Sequence, residues 1–197
     1  MSIYRISTNI DNMMFFHITQ KELESKSGVD PEYHAGSQPK PQTGWQKVNA
    51  SFVLPIDYKK SNPIPFLPDV THWGHNHLVF NQKAYDLVSE HLNPFGEFLP
   101  VVCEGYDYYL FNILQIADDN LIDQTNSEKN MMTMDGITMQ MGIKKLKFKE
   151  HKLKDTLVFK TNYDEYVGIF CNNKFKQLVE DANLKGIVFK LDLASIF

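Results

Sequence analysis

Cationic residues are in short supply: 20 Lys and Arg stand against 24 Asp and Glu, for a formal net charge of -4. Tracking a phosphate backbone draws on an excess of cations, so a general nucleic-acid binder is excluded. Long apolar runs are missing too, and none approaches the roughly 20 residues a helix needs to cross a bilayer. The first residues, MSIYRISTNIDN, have neither the basic start nor the apolar stretch of a secretion signal. A cytoplasmic protein without membrane contact is the expectation. Cysteine is limited to Cys103 and Cys171, both in apolar, strand-like surroundings, where a reducing compartment favours free thiols acting as small hydrophobes. Also absent are a Gly-rich phosphate loop, a G-x-S-x-G elbow, coiled-coil heptads and a solenoid repeat. The acidic D-D-N-L-I-D stretch lacks the central Gly and distal Glu of a calcium loop. No cofactor is expected.

What is present is a chain with 43% hydrophobic residues, enough for one substantial core, and its length favours a single domain over 1–197. Local signals are clearest from Leu78 to Ile116. An apolar run, Leu78 to Phe80, meets Asn81, a helix-capping residue. Tyr85, Val88 and Leu92 then recur at helical spacing, with Lys83, Asp86, Ser89 and Glu90 mainly opposite. Asn93-Pro94 and Gly96 stop that helix. Two strand-like runs follow, Glu97 to Glu104 and Tyr108 to Ile116, joined by the three-residue loop Gly105-Tyr106-Asp107. Asn172-Asn173-Lys174 with Leu178-Val179 echoes Asn81-Gln82-Lys83 with Leu87-Val88, and Gly186 turns the chain into a last strand alternating at Ile187, Phe189, Leu191 and Leu193. The echo fits either an old duplication or two uses of the same capping pattern, and the second is the preferred reading. Helices set between strands of a hairpin-rich chain predict an α+β domain, with a mixed, mainly antiparallel sheet and helices against one face.

Residues 1–70 are less ordered in pattern and contrast with a core at 71–197. Ile3 to Ile6 and Met14 to Ile18 suit short strands with a turn between them. The polar, proline-bearing stretch from Lys21 to Gly44 suits a long loop, and Trp45 to Ile56 regains strand character. Pro55, Pro63, Pro65 and Pro68 rule out a helix and suggest an extended surface arm.

Charge is uneven. From Ala84 through Glu128 there are nine Asp or Glu and no Lys or Arg, whereas six lysines fall between Lys144 and Lys154, after a Met-rich turn from Met131 to Met141. One acidic end and one basic end are predicted. Leu146 and Phe148 alternate with Lys145, Lys147 and Lys149, as in an edge strand whose lysines discourage further pairing. Exposed aspartates at Asp118, Asp119 and Asp123 fit either a solvated loop or a surface that steers a basic partner.

His72, His75 and His77, in HWGHNH, are the residues closest to a metal set, since neutral imidazoles bind zinc and three could fill a catalytic shell. The spacing matches no metal motif with a mechanical rationale, and Asp69 is the nearest carboxylate. A polar loop with Trp73 in the core is the alternative, so no metal is expected. A small metal-dependent hydrolase built on these histidines is the competing reading from another class, and a structural protein of a mobile element is a third.

The run from the helix to Gly96-Glu97-Phe98-Leu99-Pro100, a turn, and Tyr108-Tyr109-Leu110-Phe111-Asn112 resembles bacterial immunity protein family eleven. Asp123 and Ser127 are similar to that family's Asp-x-x-x-Ser, with Asp119 one position further from it than the pattern has. Lys174-Phe175, Leu178-Val179 and Leu184-Lys185-Gly186 are similar to its closing strand, helix, glycine and strand. The resemblance covers about the last two thirds of the chain and rests on residues that shape the fold. It implies a cytoplasmic, non-catalytic antitoxin that binds and neutralises a cognate protein toxin of a polymorphic toxin system. On that view Asp118, Asp119 and Asp123, with Tyr106 as an aromatic anchor, are the expected toxin-binding residues.

Overall fold

The computed structural model describes residues 2–9, 13–26, 38–55, 58–59, 64–74 and 77–194. Short alternating runs become strands and two asparagine-led segments become helices. In chain order the first half forms β1 (Ile3–Thr8), β2 (Phe15–His17), α1 (Gln20–Lys26), β3 (Val48–Val53), β4 (Val70–Trp73), β5 (His77–Asn81), α2 (Gln82–Leu92) and β6 (Gly96–Cys103). The remainder forms β7 (Tyr106–Ile113), β8 (Ile116–Ala117), β9 (Glu128–Met134), β10 (Ile137–Lys145), β11 (Val158–Thr161), β12 (Ile169–Asn172), α3 (Asn173–Asp181) and β13 (Ile187–Lys190).

Two mixed sheets take the place of the single predicted sheet: a six-stranded one ordered β2-β3-β6-β7-β5-β4 and a five-stranded one ordered β13-β1-β12-β11-β8. All pairings are antiparallel except β3 with β6 and β8 with β11. β9 and β10 pair only with each other among the described residues. The N-terminal strands are not a local hairpin: β1 enters the middle of the five-stranded sheet, and β2 lies at the edge of the other. Residues before 70 therefore supply a central strand to the C-terminal sheet.

Asparagine capping sets both long helices. Asn81 Oδ1 accepts the Ala84 N–H at 2.9 Å, and Asn172 Oδ1 accepts those of Lys174 at 2.9 Å and Phe175 at 3.1 Å, so first-turn donors that lack helical partners are satisfied. The echo goes further than capping. β5 and β6 flank β7, antiparallel to both, and β12 and β13 flank β1 in the same way. β4 lies antiparallel outside β5, as β11 does outside β12. Each sheet thus contains a strand-helix-strand unit split by one antiparallel strand.

Three apolar clusters hold the sheets. Ala84, Val88 and Leu92 of α2 join Phe175 and Val179 of α3, Phe80, Phe111, Ile169 and Cys171 in a core that draws on both sheets. The opposite face of the five-stranded sheet buries Phe159 and Phe170 under Ile122, Leu146, Phe148 and Leu153, while that of the other sheet buries Phe16, Phe52, Val101 and Leu110. Asp69 fastens the two units together. Its carboxylate accepts from Asn81 Nδ2 at 3.0 Å and from the Lys185 N–H at 2.9 Å, and its own N–H donates to Lys185 O at 2.8 Å. Gly186, at φ +123°, turns the chain there, where a Cβ would stand 2.0 Å from Val70 O.

Several local expectations are corrected. A short helix, α1, occupies the start of the predicted loop. Thr19 and Glu22 form the two ends of a capping pattern, with the Glu22 N–H donating to Thr19 Oγ1 at 3.3 Å, and Glu22 Oε1 also accepts from Asn49 N and Nδ2 at 2.8 and 2.7 Å. The loop of the 97–116 hairpin has two residues, Glu104 and Gly105, both at positive φ, rather than three. The Met-rich stretch is a hairpin about Asp135-Gly136. Leu191 is 67% exposed because β13 ends at Lys190. The described part of the proline arm packs as predicted, with Pro65 and Pro68 buried and Met14 N–H donating to Phe66 O at 3.1 Å, while Pro63 lies outside the described residues.

Candidate functional site

Cross-strand neighbours project from the same face of a sheet. His72 is paired with Leu78, and Trp73 with His77, so His72 shares the Leu78 face and His77 the Trp73 face. His72 Nδ1 lies 2.9 Å from Thr8 Oγ1, whereas the His77 ring sits 5.2 Å from that of Trp73. Imidazoles on opposite faces cannot ligate one ion, and His75 lies outside the described residues. Among the described residues no three His, Cys, Asp or Glu side chains form a metal-holding group. Burial holds His77 neutral, far below its ordinary pKa. It also pushes the Cys103 thiol up to about 12 and that of Cys171 well above its normal value, which opposes formation of a nucleophilic thiolate.

A buried charged cluster was not anticipated. Arg5 of β1, Lys160 of β11 and Asp164 are all buried. Arg5 Nη1 donates to Leu193 O at 3.1 Å and stands 3.8 Å from Asp164 Oδ2, which accepts the Gly168 N–H at 2.8 Å. Asp164 Oδ1 is buried and has no hydrogen-bond partner among the described residues. Burial raises Asp164 to about 6 against the attraction of Arg5, and lowers Lys160 to about 7 against that of Asp164. Desolvation therefore outweighs pairing at both. The signal was a single charge within an apolar strand, Tyr4-Arg5-Ile6 and Phe159-Lys160.

Asp118, Asp119 and Asp123 come together in one loop, the first two exposed and the third half-buried. Asp123 accepts from Asn126 Nδ2 at 2.8 Å, a bond that lowers its pKa. The expected separation of acidic and basic ends is not found. Asp123 N–H donates to Lys147 O at 2.9 Å, Lys149 N–H to Leu121 O at 2.8 Å and Lys149 Nζ to Asn120 O at 3.0 Å. The lysine run thus lies along the acidic loop. Its alternation survives, with Leu146 and Phe148 inside, but beyond Lys145 it makes a single bridge among the described residues, Ile122 to Phe148, in place of the predicted edge strand.

Tyr106, 73% exposed, sits at the far end of β7 from this loop, and an eight-residue strand spans about 23 Å. It lines a cleft of about 600 Å³ with Leu67, Asn81, Lys83 and Asp107. The structure does not join Tyr106 to the aspartates in one patch.

The motif residues have structural tasks. Glu97 and Asn112 face each other across β6 and β7, Asn112 Nδ2 donating to Glu97 Oε1 at 2.8 Å and to Lys40 O at 3.0 Å, while the Gln42 N–H donates to Glu97 at 2.7 Å. Ser127 Oγ accepts the Lys147 N–H at 2.9 Å. These groups stitch the outer segments to the sheets.

Strands and helices together define a two-sheet α+β protein. Residues 99–191 match the model of the Immunity protein family (Imm11), the family the sequence resembles. No match to a curated protein was found.

Proposed function

We propose that the protein is a non-catalytic antitoxin that acts in the cytoplasm, as one domain, by binding a cognate secreted toxin and occluding it. The observation carrying this reading is the match of residues 99–191 to the immunity protein family. The placement of both cysteines and of His72 and His77 is compatible with it, since each serves packing or a local hydrogen bond. In this reading Asp118, Asp119 and Asp123 steer a toxin with a basic cleft toward the β8–β9 loop, and Tyr106 is a separate anchor at the cleft by the α2 N-terminus.

The test is recovery of the tagged protein from its native host under toxin-producing conditions. Stoichiometric co-elution of one secreted protein after a high-salt wash is expected, together with growth rescue when the two are co-expressed. Failure of both ends the antitoxin reading. Reversal of the three aspartates (D118K, D119K and D123K) is expected to lower the association rate, and Tyr106→Ser to raise the dissociation rate. Unchanged kinetics in either variant remove that surface from the interface and leave the function standing.

A further inference from the structure

The register of β9 with β10 sorts the hairpin's side chains onto two unlike faces. Met134 pairs with Ile137 and Met132 with Met139; Thr133 pairs with Thr138 and Met131 with Gln140. The threonine face is the one tied to the body. Thr133 and Thr138 hydroxyls are 2.8 Å apart, Gln140 Nε2 donates to Tyr163 O at 3.0 Å, and Lys129 Nζ lies 4.8 Å from the Tyr163 ring centre. On the other face Met132, Met134, Ile137 and Met139 are 42, 59, 64 and 42% exposed. A contiguous, uncharged apolar face of this kind marks an interaction site, and methionine suits a surface that must repack against another.

Its occupant is indicated by symmetry and charge. From the turn residue Asp135 to Met132 is three positions, and from Met132 to Lys129 three more, so the Met132–Met139 pair is midway along the arm. A two-fold axis through that level lays one apolar face on another and brings each tip to the base of its partner. The tip carries Asp135; the base carries Lys144 and Lys145, with Lys144 already paired to Glu128 at 2.8 Å. Opposite charges then meet at both ends, as a self-complementary two-fold interface requires. We infer that the Met132, Met134, Ile137 and Met139 face of the β9–β10 hairpin is a homodimer contact, formed with a second copy of this chain packed antiparallel, tip to base.

Sedimentation of the full chain over a concentration series tests this. Self-association to twice the chain mass is expected, weakened by about tenfold or more in the Met132→Ser and Met139→Ser double variant, which loses apolar contact in both copies. Asp135→Lys is expected to weaken association, and adding Lys145→Glu to restore it, a rescue that only tip-to-base pairing gives. A strictly monomeric chain, or a dimer indifferent to the double variant, overturns the inference. So does a monomeric chain whose double variant loses capture of a toxin, since the face then belongs to that partner.

Discussion

The β6–β7 and β9–β10 hairpins close through turns of one kind, Glu104-Gly105 and Asp135-Gly136, each with both residues at positive φ. Their strands part company from there. β7 lies between β6 and β5, β6 also pairs with β3, and Leu110, Phe111 and Ile113 are fully buried. Every residue of β9 is exposed, and no third strand joins β10 among the described residues. Turn chemistry and backbone pairing give both the same local form; aromatic and branched side chains on both faces draw only the first into a core. Two strands alone are marginal in water, so the second hairpin relies on its Tyr163 contacts and on whatever covers its apolar face.

The comparison breaks most sharply at matched side chains. Phe111 packs against Phe98 at 4.5 Å and Phe80 at 6.3 Å between ring centres, so Phe111→Ala is expected to cost about 3–5 kcal/mol. Met134→Ala, at an exposed site, is expected to change monomer stability by less than about 0.5 kcal/mol. Urea midpoints at concentrations below self-association compare them. Similar losses would mean that the exposed hairpin folds as part of the body.

Next in size is a pH effect beside the buried hairpin. Lys160 has its pKa lowered from 10.5 to about 7 by burial. Between those values the unfolded chain holds a proton that the folded chain has released, so stability rises with pH from about 7 and falls as pH drops back through it. A gain on the order of 3 kcal/mol between about pH 7 and 9.5 is expected, and Lys160→Met should flatten that slope. Asp164, raised from 3.8 to about 6 by burial, works in the other sense: stability declines as pH climbs through that interval. A slope unaltered in Lys160→Met would assign the effect to another group.

Legibility followed the range of the interaction. Asn81 and Asn172, the helices behind them, Gly186, and the inward Leu146 and Phe148 are set by neighbours within a turn or a strand's alternation, and the sequence displays them directly. The T-x-x-E at Thr19 and the Asp-Gly at residue 135 are equally local signals, yet polar surroundings and a run of methionines masked them. What pattern could not convey was partnership between distant strands. β1 joins β12 and β13 from the other end of the chain, and nothing near Ile3 announces it. The acidic and lysine-rich stretches look like separate ends because contact between residues 121–123 and 147–149 depends on the loop folding back. Of the expected site, the clustering of three aspartates was readable, but the distance to Tyr106 depended on strand direction.

Smaller effects test whether the two split units are energetically alike. Asn81→Ala and Asn172→Ala each remove a helix cap, at about 1 kcal/mol apiece. Asn81 also donates to Asp69, and Asn172 Nδ2 to Lys154 O at 3.1 Å, so both are expected toward the upper end of the usual range. Chemical denaturation of the single and double variants should give additive losses, because the caps share no hydrogen-bond partner. Marked coupling would show that Asp69, which bonds both Asn81 and Lys185, transmits strain between the units.

The smallest expected difference isolates the turns. Gly105 and Gly136 have φ of +88° and +80°, with nothing within 4 Å of a Cβ at either, so alanine meets no clash and costs only the left-handed backbone penalty, about 1 kcal/mol. In β6–β7 that cost has nowhere to dissipate, since opening the turn unseats packed strands; Gly105→Ala should lower global stability by the full amount. In β9–β10 the arm can open while the sheets stay folded, which makes the same cost local. Gly136→Ala is therefore expected to leave the unfolding midpoint unchanged while speeding amide exchange from Met131 to Gln140. If Gly136→Ala lowers the midpoint as Gly105→Ala does, the Tyr163 contacts bind arm and body into one cooperative unit, and the contrast between the hairpins is one of exposure alone.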